Sequence, residues 1–311
     1  ENFLRCCRRL LGMSTKADTV TFTPPGDDAS ARRTVRASAI PISVDFRGLD
    51  DLARTPEVIA RAAEIRASLG DPKILLLGID RLDYTKGIRH RLKAYGELLR
   101  DKAIAPPDVT LMQVALPSRE NVDAYRRLRE EVEHTVGSLN GEFSTLGQPA
   151  VHYLHLFYPL AERAAMFLAA DVMLVTPLRD GMNLTAKEYV ACRHDLGGAL
   201  VLSEFAGARQ ELHQAYICNP HDVEGLKQTI MAAITAPADE RRRRMKALRK
   251  RVAVHDVQRW ATSYLDALDS APVRPLGSGR TGSLEPASRS GEVSSAPGGS
   301  GQRVLHHARS G

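Results

Sequence analysis

The sequence is missing several things whose absence narrows its function. No apolar run approaches the ~20 residues of a membrane-crossing helix, and no secretory leader pattern opens the chain. Its four cysteines, Cys6, Cys7, Cys192 and Cys218, are spaced neither as a disulfide framework nor as a zinc site. They read as thiols of a reducing compartment, so a cytoplasmic protein with no membrane partner is expected. The ten histidines show no metal-ligand spacing, and HExxH, GxSxG and GxxxxGK[ST] are all missing. Metal-dependent and serine-hydrolase chemistry are therefore set aside, and neither a metal nor a cofactor is expected. Excess charge is also small. The balance is 43 basic against 37 acidic residues, or +6, and five Arg against two Glu in residues 272–311 supply +3 of it. The remainder is only mildly basic, and no nucleic-acid partner is expected. A homo-oligomer stays open. A chain that begins at Glu1 rather than Met is expected to have lost its true start.

What is present is regular. With 311 residues, 43% of them apolar, the chain is long enough for two ordinary domains. Phe3, Leu4, Cys7, Leu10 and Leu11 predict an amphipathic helix, Thr19 to Thr23 a strand, and Thr34 to Val44 a second β-favouring stretch. One helix and about two strands bury no core of their own, so residues 1–50 read as the end of a larger domain. Pro56 to Leu69 predicts a helix. Strands are then expected at 73–79, 109–116, 151–156, 171–176, 199–203 and 215–218. They alternate with helices over 87–101, from Ser118 (stripe Val122, Tyr125, Leu128, Val132, Val136) and near Leu160, Asn183, Arg209 and His221. That alternation predicts a doubly wound parallel α/β sheet over residues 51–271, Rossmann-like, with helices on both faces. A charged helical region at 238–269 closes it. Its Arg-rich surface reads either as an anion or RNA patch or as a solvated face above the Met245, Leu248, Val252 seam, and Trp260, Tyr264 and Leu268 continue the apolar stripe. Residues 272–311, Gly/Ser/Pro/Arg-rich, read as a disordered tail.

Two strand-to-helix turns carry chemistry. In the first, Asp171 to Val175 is a buried-strand pattern that runs into Thr176-Pro177-Leu178-Arg179-Asp180-Gly181-Met182-Asn183 and a helix from Leu184. Such turns lie at the carboxyl edge of an open sheet, where ligands bind. Unpaired first-turn N–H groups there suit a phosphate, and Gly181 permits close approach. Asp180 suits sugar hydroxyls. Glu188 stands eight positions on, or roughly 12 Å along a helix, far enough for a second sugar across a diphosphate. The arrangement reads as a nucleotide-sugar clamp; alternatively Asp180 and Asn183 cap a helix and Glu188 is a surface residue. In the second turn, Gly78 to Ile88 (GIDRLDYTKGI) places Arg81 and Lys86 on the same edge. Fixed cations there would stabilise charge growing on a departing diphosphate; alternatively Arg81 ties down the loop through Asp80 or Asp83. Arg119 follows the next strand, as a crevice residue or as an ordinary helix-start cation. Ser203-Glu204-Phe205-Ala206-Gly207-Ala208 is a further turn on that edge.

Together GIDRLDYTKGI (78–88), TPLRDGMNLTAKEYVA (176–191) and LSEFAGA (202–208) closely resemble the trehalose-6-phosphate synthases, retaining glycosyltransferases with two facing Rossmann-like domains (the B-type fold). The resemblance spans roughly residues 1–270. It implies glucose transfer from UDP-glucose or another nucleoside diphosphate glucose to glucose 6-phosphate, with no enzymic nucleophile and no cofactor. It implies Arg81 and Lys86 on the donor diphosphate and Asp180 on the donor glucose, all three catalytic. It places Gly181, Met182, Asn183, Leu184, Thr185, Ala186, Lys187 and Glu188 along the donor, with Glu188 on the ribose and Tyr158 beside the base. Arg119 matches a residue that reaches the acceptor phosphate. Thr185 stands where the family has a small apolar residue. Most of the acceptor-binding domain has no counterpart here, so the expectation is an N-terminally truncated chain with a donor half-site and little turnover. The alternatives are a non-catalytic nucleotide-sugar-binding or regulatory module, or a related α-glucan synthase, against which GIDRLDYTKGI argues.

Overall fold

A computed structural model describes residues 1–28, 31–119 and 121–270. The expected tail at 272–311 lies outside the described residues. Helix α1 (Asn2–Leu11) is followed by an antiparallel sheet of β1 (Ser14–Lys16), β2 (Thr19–Phe22) and β3 (Arg33–Arg36), in the order β1-β2-β3. Strand β1 was not expected, and of the stretch 34–44 only its first residues are strand. Helix α2 (Phe46–Ala53), also unexpected, is capped by the Asp45 carboxylate on Gly48 N–H (3.0 Å). It spans the boundary drawn at residue 50, and its Leu49 and Ala53 are buried in the core of the next unit.

The Rossmann-like unit continues with α3 (Pro56–Ser68), β4 (Ile74–Arg81), α4 (Ile88–Arg100), β5 (Val109–Leu116), α5 (Asp123–Phe143) and β6 (Val151–Leu154). After these come α6 (Leu160–Ala169), β7 (Val172–Val175), α7 (Leu184–Cys192), β8 (Ala199–Ser203), β9 (Tyr216–Cys218), α8 (Val223–Thr235), α9 (Ala238–Val254) and α10 (Val257–Asp269). Six strands pair in the order β6-β5-β4-β7-β8-β9, every pair parallel. Alternation along the strands fills two cores. Leu75, Leu77, Ile79, Met173, Val175, Leu200 and Leu202 face α2, α3, α6, α7 and α9. Leu76, Leu111, Val172, Leu174 and Val201 face α4, α5 and α8. Apolar side chains on both faces are why these strands read as unbroken apolar runs.

Three further differences are local. The helix expected from Arg209 is one 3₁₀ turn, Gly207–Gln210. Val122 flanks α5 and is exposed rather than part of its buried stripe. The charged region is two helices, because the Asp256 carboxylate accepts from Arg259 N–H (2.9 Å) and starts α10 afresh. Met245, Leu248 and Val252 are buried as the seam required, whereas Tyr264 and Leu268 are exposed.

Candidate functional site

Chain order reverses at β4: β5 lies on one side and β7 on the other. The carboxyl ends of β4 and β7 flank the crevice that such a switch creates. Both motif turns meet there. Lys86 Nζ sits 2.5 Å from Asp180 Oδ2, with the two side chains only 14% and 15% exposed. Backbone contacts hold the turns together: Leu178 N–H donates to Thr85 O (2.7 Å). Gly87 makes the close approach possible, since its φ is +67° and a Cβ there would lie 2.0 Å from Thr176 O. The third turn closes from the other side. Asp180 N–H donates to Phe205 O (3.1 Å) and Gly207 N–H to Asp180 O (3.1 Å). A Cβ on Gly207 would meet Gly181 O at 2.0 Å, whereas one on Gly181 would meet nothing within 4 Å. Gly207 is thus the glycine the local packing requires, and Gly181 borders open space.

At the start of α7 one side chain serves two partners. Asn183, with φ of +71°, accepts from Ala186 N–H through Oδ1 (3.0 Å) and donates through Nδ2 to Asp180 Oδ2 (3.0 Å). The asparagine therefore caps the helix and orients the carboxylate at once. Leu184 and Thr185 keep the first-turn N–H groups that a helix leaves unpaired. Met182, Leu184 and Thr185 are half-buried. The side chains of Ala186 and Lys187 are fully buried. Lys187 Nζ is spent on Glu211 (2.8 Å), Ile42 O (3.1 Å) and Ser43 Oγ (3.4 Å). Any part these two residues play toward a ligand is confined to backbone atoms.

Glu188 lies 3.3 Å from Arg163 Nη1. Burial pushes its carboxyl above the ordinary value, with Arg163 pulling the other way. Tyr158 is half-buried ahead of α6, and burial raises its phenol.

Arg81 is exposed and has no ion-pair partner among the described residues. Neither carboxylate suggested as its anchor takes it up. Asp83 accepts from Thr85 N–H (2.9 Å), Thr85 Oγ1 (2.8 Å) and Tyr125 OH (3.1 Å). Burial would raise this carboxyl, but those bonds, with Arg81 nearby, hold it below the ordinary value. Arg119 donates to Tyr125 OH (2.9 Å), so it joins the edge through Tyr125 while remaining exposed.

The residue that sequence reasoning missed is Arg91. It is fully buried and donates to Asp80 Oδ2 (2.7 Å), Gln113 Oε1 (2.9 Å) and Thr176 Oγ1 (3.1 Å). Burial pushes the Asp80 carboxyl upward, while Arg91 and then Lys86 hold it back. The available signal was a cation on the inward face of α4, three residues after Ile88 and four before Tyr95. Among the described residues, no group of three or more His, Cys, Asp or Glu gathers where a metal ion could sit. No helix among them is long and apolar enough to cross a membrane.

A parallel sheet with helices on both faces and a charged crevice at its switch point defines one Rossmann-like unit of a B-type glycosyltransferase. The chain belongs to glycosyltransferase family 20, whose profile matches residues 1–270. It is 56% identical over 271 residues to the trehalose-6-phosphate synthase of Mycolicibacterium vanbaalenii, covering 87% of this chain and 55% of that protein. Against the Mycobacterium leprae trehalose-6-phosphate synthase it is 54% identical over 275 residues, covering 88% and 55%. Among solved structures, an α,α-trehalose-phosphate synthase (UDP-forming) from Burkholderia xenovorans in complex with glucose-6-phosphate superposes with a TM-score of 0.79 at 34% identity. That match covers 86% of this chain and 57% of the other. The E. coli protein solved with UDP-2-fluoro glucose gives 0.78 at 32%, covering 86% and 58%. The chain therefore spans little more than half the length of the relatives it matches.

Proposed function

We propose that this crevice is the donor half-site of a retaining glucosyltransferase, one that moves glucose from a nucleoside diphosphate glucose to glucose 6-phosphate and yields trehalose 6-phosphate. The observation that carries the reading is the Lys86–Asp180 pair. It joins a cation suited to phosphate and a carboxylate suited to sugar hydroxyls, from two motifs 94 residues apart. Arg81, unpaired, and the N–H groups of Leu184 and Thr185 would receive the diphosphate. Asp180, aimed by Asn183, would accept from the glucose hydroxyls, and Glu188 from the ribose. Charge building on the leaving phosphate is then met by groups already in place, where fixed donors lower the barrier most. With retention, the acceptor hydroxyl enters on the face the phosphate leaves, and the phosphate oxygen takes its proton. The donor being UDP-glucose rather than GDP-glucose is supported by the UDP-forming and UDP-2-fluoro glucose relatives. Arg119 would reach the acceptor phosphate, in a site completed by a second domain. A cytoplasmic, metal-independent enzyme is the setting this reading carries.

Calorimetric titration of the 311-residue chain with UDP-glucose and GDP-glucose is the test. Arg81→Ala should weaken UDP-glucose binding at least about tenfold, the loss of a charge-assisted contact of roughly 1.5 kcal/mol. Binding without turnover is what a donor half-site predicts by itself; an absence of turnover even when glucose 6-phosphate and a complementary acceptor domain are both supplied would favour the non-catalytic binding module. No binding of either sugar nucleotide would remove the donor-site reading.

A further inference from the structure

Arg91 touches none of the groups assigned to substrate, yet its contacts converge on the elements that carry them. Its three acceptors lie in, or directly after, three neighbouring strands of the sheet. Asp80 lies in β4 next to Arg81, Gln113 lies in β5, and Thr176 follows β7, four residues before Asp180. Arg91 also springs from the first turn of α4, where its own N–H donates to Gly87 O (3.0 Å), at the end of the Lys86 turn. Space for the fork is reserved. A Cβ on Gly78 would lie 2.1 Å from Arg91 Nη1 and 2.6 Å from Gln113 Oε1. Gln113 is itself fixed through Nε2 to Gly78 O (3.3 Å) and Val114 O (3.2 Å).

A buried ion pair is a poor device for stability, because apolar residues of the same volume usually serve as well or better. What the planar guanidinium offers that a hydrocarbon does not is direction: its donors fix three acceptors at set angles. We propose that Arg91 is a positioning residue, whose buried fork sets the spacing between the turn bearing Arg81 and Lys86 and the turn bearing Asp180. Its consequence for ligand affinity rests on the donor-site reading above. Its consequence for the Lys86–Asp180 pair does not.

The experiment uses the 311-residue chain with Thr176→Val, which removes one acceptor at nearly constant volume, and Arg91→Lys, which keeps the charge but loses the fork. The rate at which a small acylating reagent modifies Lys86 is followed by peptide mass spectrometry, well below each variant's thermal midpoint. UDP affinity is measured alongside. Loosening the two turns frees the Lys86 amine from Asp180, so Lys86 acylation should rise several-fold in both variants while distant surface lysines such as Lys73 keep their rates. UDP affinity should fall about tenfold, the equivalent of one lost charge-assisted contact. If Arg91→Lys does not fold, Thr176→Val alone decides, since it leaves the Asp80 and Gln113 contacts in place. An unchanged Lys86 rate in the folded variants, with only the thermal midpoint lowered, overturns the proposal and makes Arg91 a plain brace. A native chain that binds no UDP removes the donor-site reading instead, and the Lys86 rates still decide the role of Arg91.

Discussion

At position 87 the backbone turns through φ of +67° against Thr176 O. Alanine there takes on left-handed strain of about 1–3 kcal/mol, and its methyl must push the Thr176 carbonyl away. Gly87→Ala should therefore lower the urea midpoint by at least that equivalent, and an unchanged midpoint would show that the two turns separate freely. Glu188 makes a prediction in pH. Burial raises its folded pKa above the ordinary 4.5. Its contribution to stability is thus full below 4.5 and is lost as pH rises through the raised folded value. The proposed ribose contact, by contrast, needs the carboxylate. UDP affinity should fall as pH drops through that same value, and Arg163→Ala, which removes the one opposing cation, should move the fall to higher pH. A titration series on the acid side of neutrality with both proteins checks this. That Arg81, Lys86 and Asp180 share one sheet edge was legible, because turns that follow neighbouring parallel strands lie side by side at their carboxyl ends. Arg91 was not, because period and spacing place a side chain on a face but do not reveal which partners wait there.

Among the elements, α9 shows how a charged segment earns its place. Of its seventeen residues only Met245, Leu248 and Val252 are buried, and they join the core beneath α7 and β8. Leu248→Ala should cost about 2–5 kcal/mol, read as a lowered denaturation midpoint, while substitutions of exposed Arg242 or Arg243 should stay within about 0.5 kcal/mol. The seam was visible in the sequence, but the break after it was not. Helix-favouring residues run on to Asp256, and only the capping carboxylate restarts the count. Beyond Arg36 the stretch 34–44 is not strand, for a different reason. Its carbonyls answer to partners distant in sequence: Trp260 Nε1 donates to Ile40 O (3.2 Å), Lys187 to Ile42 O (3.1 Å) and Val257 N–H to Val44 O (3.0 Å). No local pattern encodes acceptors committed to residues over a hundred positions away.

Over the whole molecule, the six-stranded sheet was the most legible feature, since strands buried on both faces are written as apolar runs with helices between. The antiparallel sheet β1-β2-β3 was only partly so; its three- and four-residue strands bury little beyond Val20 and leave weak periodicity. Ligand linkage supplies a test at this scale. If the crevice binds UDP in the native state alone, UDP at about 100 times its dissociation constant should add about 2.7 kcal/mol to the unfolding free energy. The thermal midpoint should rise accordingly in the native chain and stay fixed in Asp180→Ala/Arg81→Ala.

The Lys187 ammonium has a practical corollary for anyone who wishes to shorten this protein. Two of its three partners, Ile42 O and Ser43 Oγ, belong to the connector before α2. A version trimmed to begin at Phe46 would keep the whole parallel sheet and still strand a cation facing one carboxylate, with the Trp260 indole and Val257 N–H stripped of their acceptors. The scissors must fall before Ile40.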